Sequence, residues 1–264
     1  MNKRNILCVT EGVKTEIQIL EQLNQVFIQR DITFIPFSTN IYVVYNDYLK
    51  FKGGHNDDEF DMFIFLKRYD KNNILENKKR NDFTDILLFM DLDRHHLNNI
   101  DNPLEYSKLL NCLPEMLNLF DNSIENGKLF ISYPMVEAFK HPVKNNDLWD
   151  ISLGKKYKSY THDICDKKLE NFNNHFLNKE QWSKFLLPHV SIVNFIINQQ
   201  FNYPMNYQEI HGFHQSVIYQ KQCQDYITPH NKCLVLSPFA LFLLEYLGEK
   251  LFGEWQSIAH EMNP

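Results

Sequence analysis

Two short apolar runs, each followed at once by acidic residues, constrain the fold of this chain more than any other feature. Residues 5–10 form a mostly apolar run that leads into Glu11, and residues 85–90 lead into Asp91 and Asp93. Apolar runs of this length, bounded by turn or charged residues, are typical of strands buried on both faces of a sheet. The pattern therefore predicts two buried strands with carboxylates at their C-terminal ends.

Helix-like patterns alternate with these strands in the first half of the chain. Apolar residues recur at near-helical spacing in residues 15–29, 58–69 and 103–120. Further strand-like segments, rich in β-branched and aromatic residues, are residues 32–45 and 128–132. This alternation predicts an α/β fold with a mainly parallel sheet flanked by helices, in which reactive groups gather at the carboxyl ends of the strands.

The character of the sequence changes near Pro142, and we predict a boundary there between residues 1–142 and 143–264. Residues 145–160 are polar and lysine-containing, which favours an exposed loop. Beyond them the pattern is mainly helical, in residues 179–200, 207–223 and 238–252. Ser237 and Pro238 are placed as the cap and first turn of the last of these helices.

Composition excludes several classes of protein. The net charge of −6 argues against a protein that coats nucleic acid by broad phosphate neutralisation, although an acidic metal site would itself contribute negative charge. The sequence contains no run of eighteen apolar residues, so it predicts no membrane-spanning helix, and we expect no signal peptide. Five scattered cysteines, without a C-x-x-C pair, favour a reducing, cytoplasmic location. The sequence contains neither a P-loop motif nor a G-x-S-x-G motif.

The acidic residues have one structural and one functional interpretation. Glu11 and Glu16 flank Gly12, an arrangement that also suits a tight strand-to-helix turn with an acid in the first helical turn. Asp91 and Asp93 lie two residues apart, so that both side chains project from the same side of an extended chain. Hard divalent cations bind such carboxylate oxygens, and the two motifs together favour a metal site.

These motifs resemble the signature of the Toprim superfamily, a hydrophobic strand ending in E-G and a later one ending in D-x-D. The stretch Glu11-Gly12-Val13-Lys14-Thr15-Glu16 resembles the E-G-x-K-T-E box of RloB-like Toprim proteins. The pattern is also similar to the Toprim domains of OLD-type nucleases. Residues 132–137 resemble a further motif of the family, a serine or asparagine near proline followed by an acid.

The resemblance implies a Rossmann-like Toprim catalytic domain over residues 1–142, followed by a mainly helical region. It implies that Glu11 is a general acid/base or a metal-bound carboxylate, and that Asp91 and Asp93 hold Mg²⁺ or Mn²⁺. Glu16 and Glu137 would be additional ligands. Two cations bridged by carboxylates can activate water and stabilise charge on a phosphate.

The activity implied by the resemblance is metal-dependent endonucleolytic cleavage of DNA or RNA, including tRNA. Both related groups are associated with bacterial anti-phage defence and abortive infection, often beside an ABC- or SMC-like ATPase. We therefore expect an ATPase partner, and the resemblance allows a homodimer. Two alternatives remain open, a Toprim-like interaction subunit with little catalysis and a primase- or topoisomerase-like Toprim protein.

Basic residues near these motifs are candidates for binding nucleic acid. Lys14 lies inside the E-G-x-K-T-E box and Arg94 follows the D-x-D motif, while Lys155, Lys156 and Lys158 form a short basic run. Such a run can follow a phosphate backbone, but a solvated loop has the same sequence pattern.

A zinc site is the last candidate feature. His211 and His214, with His230 and Cys233, form two pairs with metal-like internal spacing. The alternative is that these are ordinary surface and core side chains.

Overall fold

The computed structural model describes residues 5–53, 61–94, 111–144 and 147–262. Its main element is a five-stranded sheet in the order β2-β1-β3-β5-β4. Every strand pair is parallel except β4–β5 at one edge. The strands are β1 (Asn5–Thr10), β2 (Asp31–Pro36), β3 (Asp85–Asp91), β4 (Asp121–Asn122) and β5 (Gly127–Ser132). The predicted α/β class and mainly parallel sheet are thereby confirmed.

Parallel register brings the C-terminal ends of the central strands to one edge of the sheet. Thr10 at the end of β1 pairs with Phe89 of β3, and Asp91 at the end of β3 pairs with Ser132 at the end of β5. The first residues after each strand therefore emerge side by side.

Helices connect the strands of the first half. They are α1 (Thr15–Leu23), continued by a π-helical turn (Asn24–Ile28), then α2 (Ile41–Gly53), α3 (Met62–Lys67) and α4 (Cys112–Leu119). The side chain of Asp61 caps α3 by accepting hydrogen bonds from the backbone of Phe63 and Ile64. The start of the predicted 103–120 helix lies outside the described residues, and α4 forms its end.

The prediction of a single strand over residues 32–45 is wrong beyond Pro36. The strand ends there, and the side chain of Asn40 accepts hydrogen bonds from the backbone N–H groups of Tyr42 and Val43, which starts α2. The aromatic residues that suggest a strand are instead buried at helical spacing, as Tyr42 and Tyr45 are.

The C-terminal region is mainly helical, as predicted, and contains one two-stranded antiparallel sheet of β6 (Leu148–Asp150) and β7 (Lys232–Leu234). Its helices are α5 (Lys156–Ile164), α6 (Lys167–Glu170), α7 (Lys179–Asn198), α8 (Gln215–Gln222), α9 (Thr228–His230), α10 (Phe239–Leu247) and α11 (Glu249–Met262).

The prediction of an exposed loop over residues 145–160 is wrong for its described part. Asp150 caps a short 3-10 helix, and Gly154, at a φ of +47°, turns the chain into α5. Lysine suits a helix, and Tyr157 and Thr161, four residues apart, are both fully buried and anchor one face of α5.

The predicted helix over residues 238–252 is interrupted, and its predicted cap is wrong. Gly248, at a φ of +71°, separates α10 from α11. Ser237 makes no side-chain cap, since Pro238 takes the N-cap position. The backbone N–H of Ser237 instead donates to His189 Nδ1 at 3.1 Å.

Aromatic packing joins the C-terminal region to the sheet. The ring of Phe89 on β3 stacks on Phe130 of β5 at 5.3 Å and on Phe239 of α10 at 5.4 Å. Phe242, one helical turn later, meets Phe89 edge-on at 5.3 Å. Residues on both sides of the predicted boundary thus share one hydrophobic core. Within the described residues, no helix has the length and apolar character needed to cross a membrane.

A buried histidine in this core predicts a specific dependence of stability on pH. His189 of α7 is fully buried, and burial lowers its pKa to about 3. The unfolded chain takes up the proton near pH 6.5, so acid favours unfolding. We expect wild type to lose about 2 kcal/mol more stability than His189→Asn between pH 7.5 and pH 5.

Chemical denaturation at both pH values measures this difference. The matched control is His230→Asn, because His230 is exposed at the end of α9. Equal pH dependence of wild type and His189→Asn would contradict the assignment of His189 as a neutral core residue.

Candidate active site

The candidate site lies where the order of the sheet changes direction. From β1 the chain passes through α1 to β2 on one side, whereas β3 and β5 lie on the other side of β1. In open parallel sheets, the crevice at such a point is the usual place for ligand binding. Glu11 follows β1 there, and Asp91 ends β3.

A hydrogen bond joins these two acidic residues directly. The backbone N–H of Asp91 donates to Glu11 Oε2 at 3.0 Å, and the backbone N–H of Glu11 donates to the carbonyl of Phe89 at 3.0 Å. The first bond holds the Glu11 carboxylate over the end of the neighbouring strand. Two carboxylates that are 80 residues apart in sequence therefore share one edge of the sheet.

Gly12 makes room for a third carboxylate. Its backbone N–H donates to Glu16 Oε1 at 2.9 Å, which folds the first turn of α1 back onto the end of β1. A Cβ atom at position 12 would lie 2.6 Å from Glu16 Oε2. A side chain at position 12 would therefore displace the Glu16 carboxylate from its present position, although Gly12 has no unusual φ angle.

Asp93 and Glu137 complete the acidic set. Asp93 has a φ of +42°, a left-handed conformation that aspartate tolerates better than most residues. Glu137 lies in a 3-10 helix (Val136–Lys140) and is buried. Its Oε1 atom lies 3.1 Å from Nζ of Lys158, which is contributed by α5.

One cavity of about 510 Å³ contains all five predicted acidic residues. Three of the five predicted nucleic-acid-binding residues line it as well. Its wall comprises Glu11, Gly12, Val13, Lys14, Thr15, Glu16, Asp91, Asp93, Met135, Val136, Glu137, Lys155 and Lys158.

The electrostatics of the cavity favour a bound cation. Desolvation, then repulsion from Asp93 and Glu16, raises the pKa of Glu11 to about 8, against the effect of the hydrogen bond from the Asp91 backbone. Desolvation, then repulsion from Glu11, raises the pKa of Asp91 well above its ordinary value. Acids held this closely need protons or metal ions for stability.

Carboxylate oxygens are the ligands that Mg²⁺ and Mn²⁺ prefer. In this structure, however, the carboxylates do not converge on one point. Across the described ranges, no three His, Cys, Asp or Glu side chains are grouped closely enough to hold a metal ion. Glu11 and Glu16 accept hydrogen bonds from backbone N–H groups, and Glu137 pairs with Lys158. Side-chain rotation would have to turn these oxygens toward an ion.

The suggested zinc set is not assembled in the part of the chain that the structure describes. Cys233 is buried in β7. His211 and His214 line a separate cavity of about 230 Å³ beside Lys128 and Glu245.

Arg94 and Lys156 are not among the residues that line the acidic cavity. Arg94 reaches the C-terminal region, where its hydrogen bond to Cys223 opposes the rise that burial causes in the pKa of that thiol. Lys156 begins α5 and is exposed.

Sequence reasoning missed a second group of residues, which surround an adjoining cavity of about 500 Å³. Lys140, three residues after Glu137, and His162 on α5 are its main polar members. Lys140 could be located from the sequence, because it lies close to Glu137 in the acidic motif. His162 lies just beyond the predicted loop of residues 145–160, on a helix that the sequence does not predict.

The chain matches no family model, no curated protein and no solved structure. The likeness to Toprim proteins therefore remains a resemblance in short motifs.

Proposed function

We propose that the chain is a divalent-metal-dependent nuclease that hydrolyses phosphodiester bonds in DNA or RNA. One observation carries this proposal most strongly. Carboxylates from β1, β3 and the 136–140 helix share a single cavity at the direction change of a parallel sheet, with lysines on its wall. Acids to hold cations and lysines to hold phosphate are the two groups that such a reaction requires.

The residues divide into two roles in this proposal. Asp91 and Asp93 would hold Mg²⁺ or Mn²⁺, with Glu16 and Glu137 as further ligands, and Glu11 would be a ligand or the general acid/base. A bound divalent cation supplies a more acidic water and neutralises charge on the phosphate. Lys14, Lys155 and Lys158 would bind and orient the phosphate backbone of the substrate.

The biological setting that we propose rests on the motif resemblance alone. The chain would be the effector of a bacterial anti-phage system in the cytoplasm, active on DNA or on RNA such as tRNA. An ABC- or SMC-like ATPase partner would control it, and it would act as a monomer or a homodimer.

If the acidic cavity binds a divalent metal, the metal should stabilise the folded chain. At a Mg²⁺ or Mn²⁺ concentration 100 times its Kd, the free energy of unfolding should rise by about 2.7 kcal/mol. Glu11→Gln and Asp91→Asn keep the side-chain shapes but remove a charge, so both variants should lose most of this gain. Thermal unfolding with and without metal measures it, and the exposed Glu76→Gln is the matched control. Equal stabilisation of all four proteins would place the metal elsewhere.

Removal of the same carboxylates should abolish cleavage. We expect Glu11→Ala and Asp91→Ala each to lower the rate by at least about 100-fold, because each removes a charged group from the reacting centre. Metal-dependent cleavage of plasmid, single-stranded DNA and tRNA is measured on gels. Undiminished activity in both variants would assign the cleavage to a contaminant or to another site.

The alternative function, an interaction subunit with little catalysis, is favoured by one observation. Glu11, Glu16 and Glu137 all have protein hydrogen-bond or ion-pair partners, as they would in a site that holds no metal. A wild-type protein that is neither stabilised by metal nor active on any of the three substrates would support this alternative.

A further inference from the structure

The second cavity adjoins the acidic one. The two share four wall residues, Lys14, Thr15, Glu137 and Lys158. Lys140 and His162 of α5 line the second cavity but not the acidic one. A chain molecule bound in the acidic cavity would therefore have several basic groups beside it.

The charges in the second cavity are only partly balanced by protein acids. Lys158 pairs with Glu137, and His162 Nδ1 lies 3.3 Å from Glu170 Oε1. Within the described residues, neither Lys14 nor Lys140 makes an ion pair. Two ammonium groups are thereby left for an anion that enters from outside.

Lys140 is held in position by aromatic rings rather than by an acid. Its Nζ atom lies 5.6 Å from the ring centroid of Phe139 and 5.5 Å from that of Phe172. Cation–π contacts of this kind fix a lysine while leaving its charge available. Both rings are buried, so the position of the ammonium group is tied to the core.

We propose that this second cavity binds the backbone phosphate next to the one that is cleaved. The inference rests on the proposed nuclease function and adds a substrate class to it. The substrate must be a polynucleotide chain that carries a second phosphate beside the scissile bond, rather than a compound with one phosphodiester. Lys140 is then a specificity-determining residue that contacts the flanking phosphate together with Lys14.

Short thymidine oligomers test this proposal directly. A dinucleotide has one phosphodiester, whereas a trinucleotide has a phosphate beside each scissile bond. In a third substrate, a neutral methylphosphonate replaces one linkage of the trinucleotide. Wild type should cleave the trinucleotide with a kcat/KM per bond about 10-fold above that of the other two, since a charged contact contributes on this scale.

The variants assign that preference to Lys140. In Lys140→Met, which keeps the apolar stem over the two rings, the trinucleotide-to-dinucleotide ratio should fall toward one, with Lys14 supplying what remains of the preference. Lys140→Arg should retain the ratio. The matched control is Lys67→Met, because Lys67 Nζ also lies over a ring, that of Phe63 at 5.3 Å, on the separate helix α3. A ratio of one in wild type, or a ratio unchanged in Lys140→Met, overturns the proposal.

A binding measurement separates this inference from the nuclease proposal if wild type cleaves none of the oligomers. Fluorescence anisotropy of a labelled oligothymidylate in EDTA gives the slope of log K against log salt concentration. Loss of one phosphate contact in Lys140→Met should reduce the magnitude of that slope by about 0.7, the value per contact for a single strand, while Lys67→Met leaves it unchanged. Absence of wild-type binding, or equal slopes in wild type and Lys140→Met, overturns the phosphate site itself.

Discussion

The parallel pairing of β1 with β3 is the constraint on which the rest of the site depends. Its register places Thr10 beside Phe89, and the backbone N–H of Glu11 continues the pairing by donating to the carbonyl of Phe89. The next contact is no longer between two backbones, because the Glu11 side chain accepts from the N–H of Asp91. At the C-terminal ends of these strands, the Glu11 carboxylate thus accepts the hydrogen bond that a backbone carbonyl would otherwise accept. This contact brings the two acids together.

That closeness opposes folding, and the surrounding packing has to offset it. Desolvation and mutual repulsion raise the pKa values of Glu11 and Asp91, so their charged forms destabilise the folded chain in the absence of a cation. The strand that carries Asp91 is anchored by the stacking of Phe89 between Phe130 and Phe239. Helix α10 of the C-terminal region therefore helps to hold the acidic edge in place.

The sequence predicts the sheet and the charged residues of the acidic cavity well, but it does not predict helix α5, which carries Lys158. Apolar runs ending in acids are local signals, so Glu11 and Asp91 can be located without knowledge of tertiary contacts. Helix α5 could not be located in this way. Its polar sequence resembles a loop, and the burial of Tyr157 and Thr161, which helps to stabilise it as a helix, depends on residues distant in sequence. Gly12 lies in the predicted bend between β1 and α1, but the room it leaves for the Glu16 carboxylate depends on tertiary placement and is not predicted.

A contact across the cavity wall joins the two halves of the chain. Glu137 belongs to the first half and Lys158 to the second, and their contact joins the acidic cavity to the phosphate-binding cavity that we infer. Tyr157, next to Lys158, is buried with its hydroxyl 3.2 Å from Nδ1 of His141, four residues after Glu137. Side chains on both sides of the cavity wall are thus fixed to one another through the core. A shift of α5 would move Lys158 relative to Glu137, and because Lys158 lines both cavities, it would alter both at once.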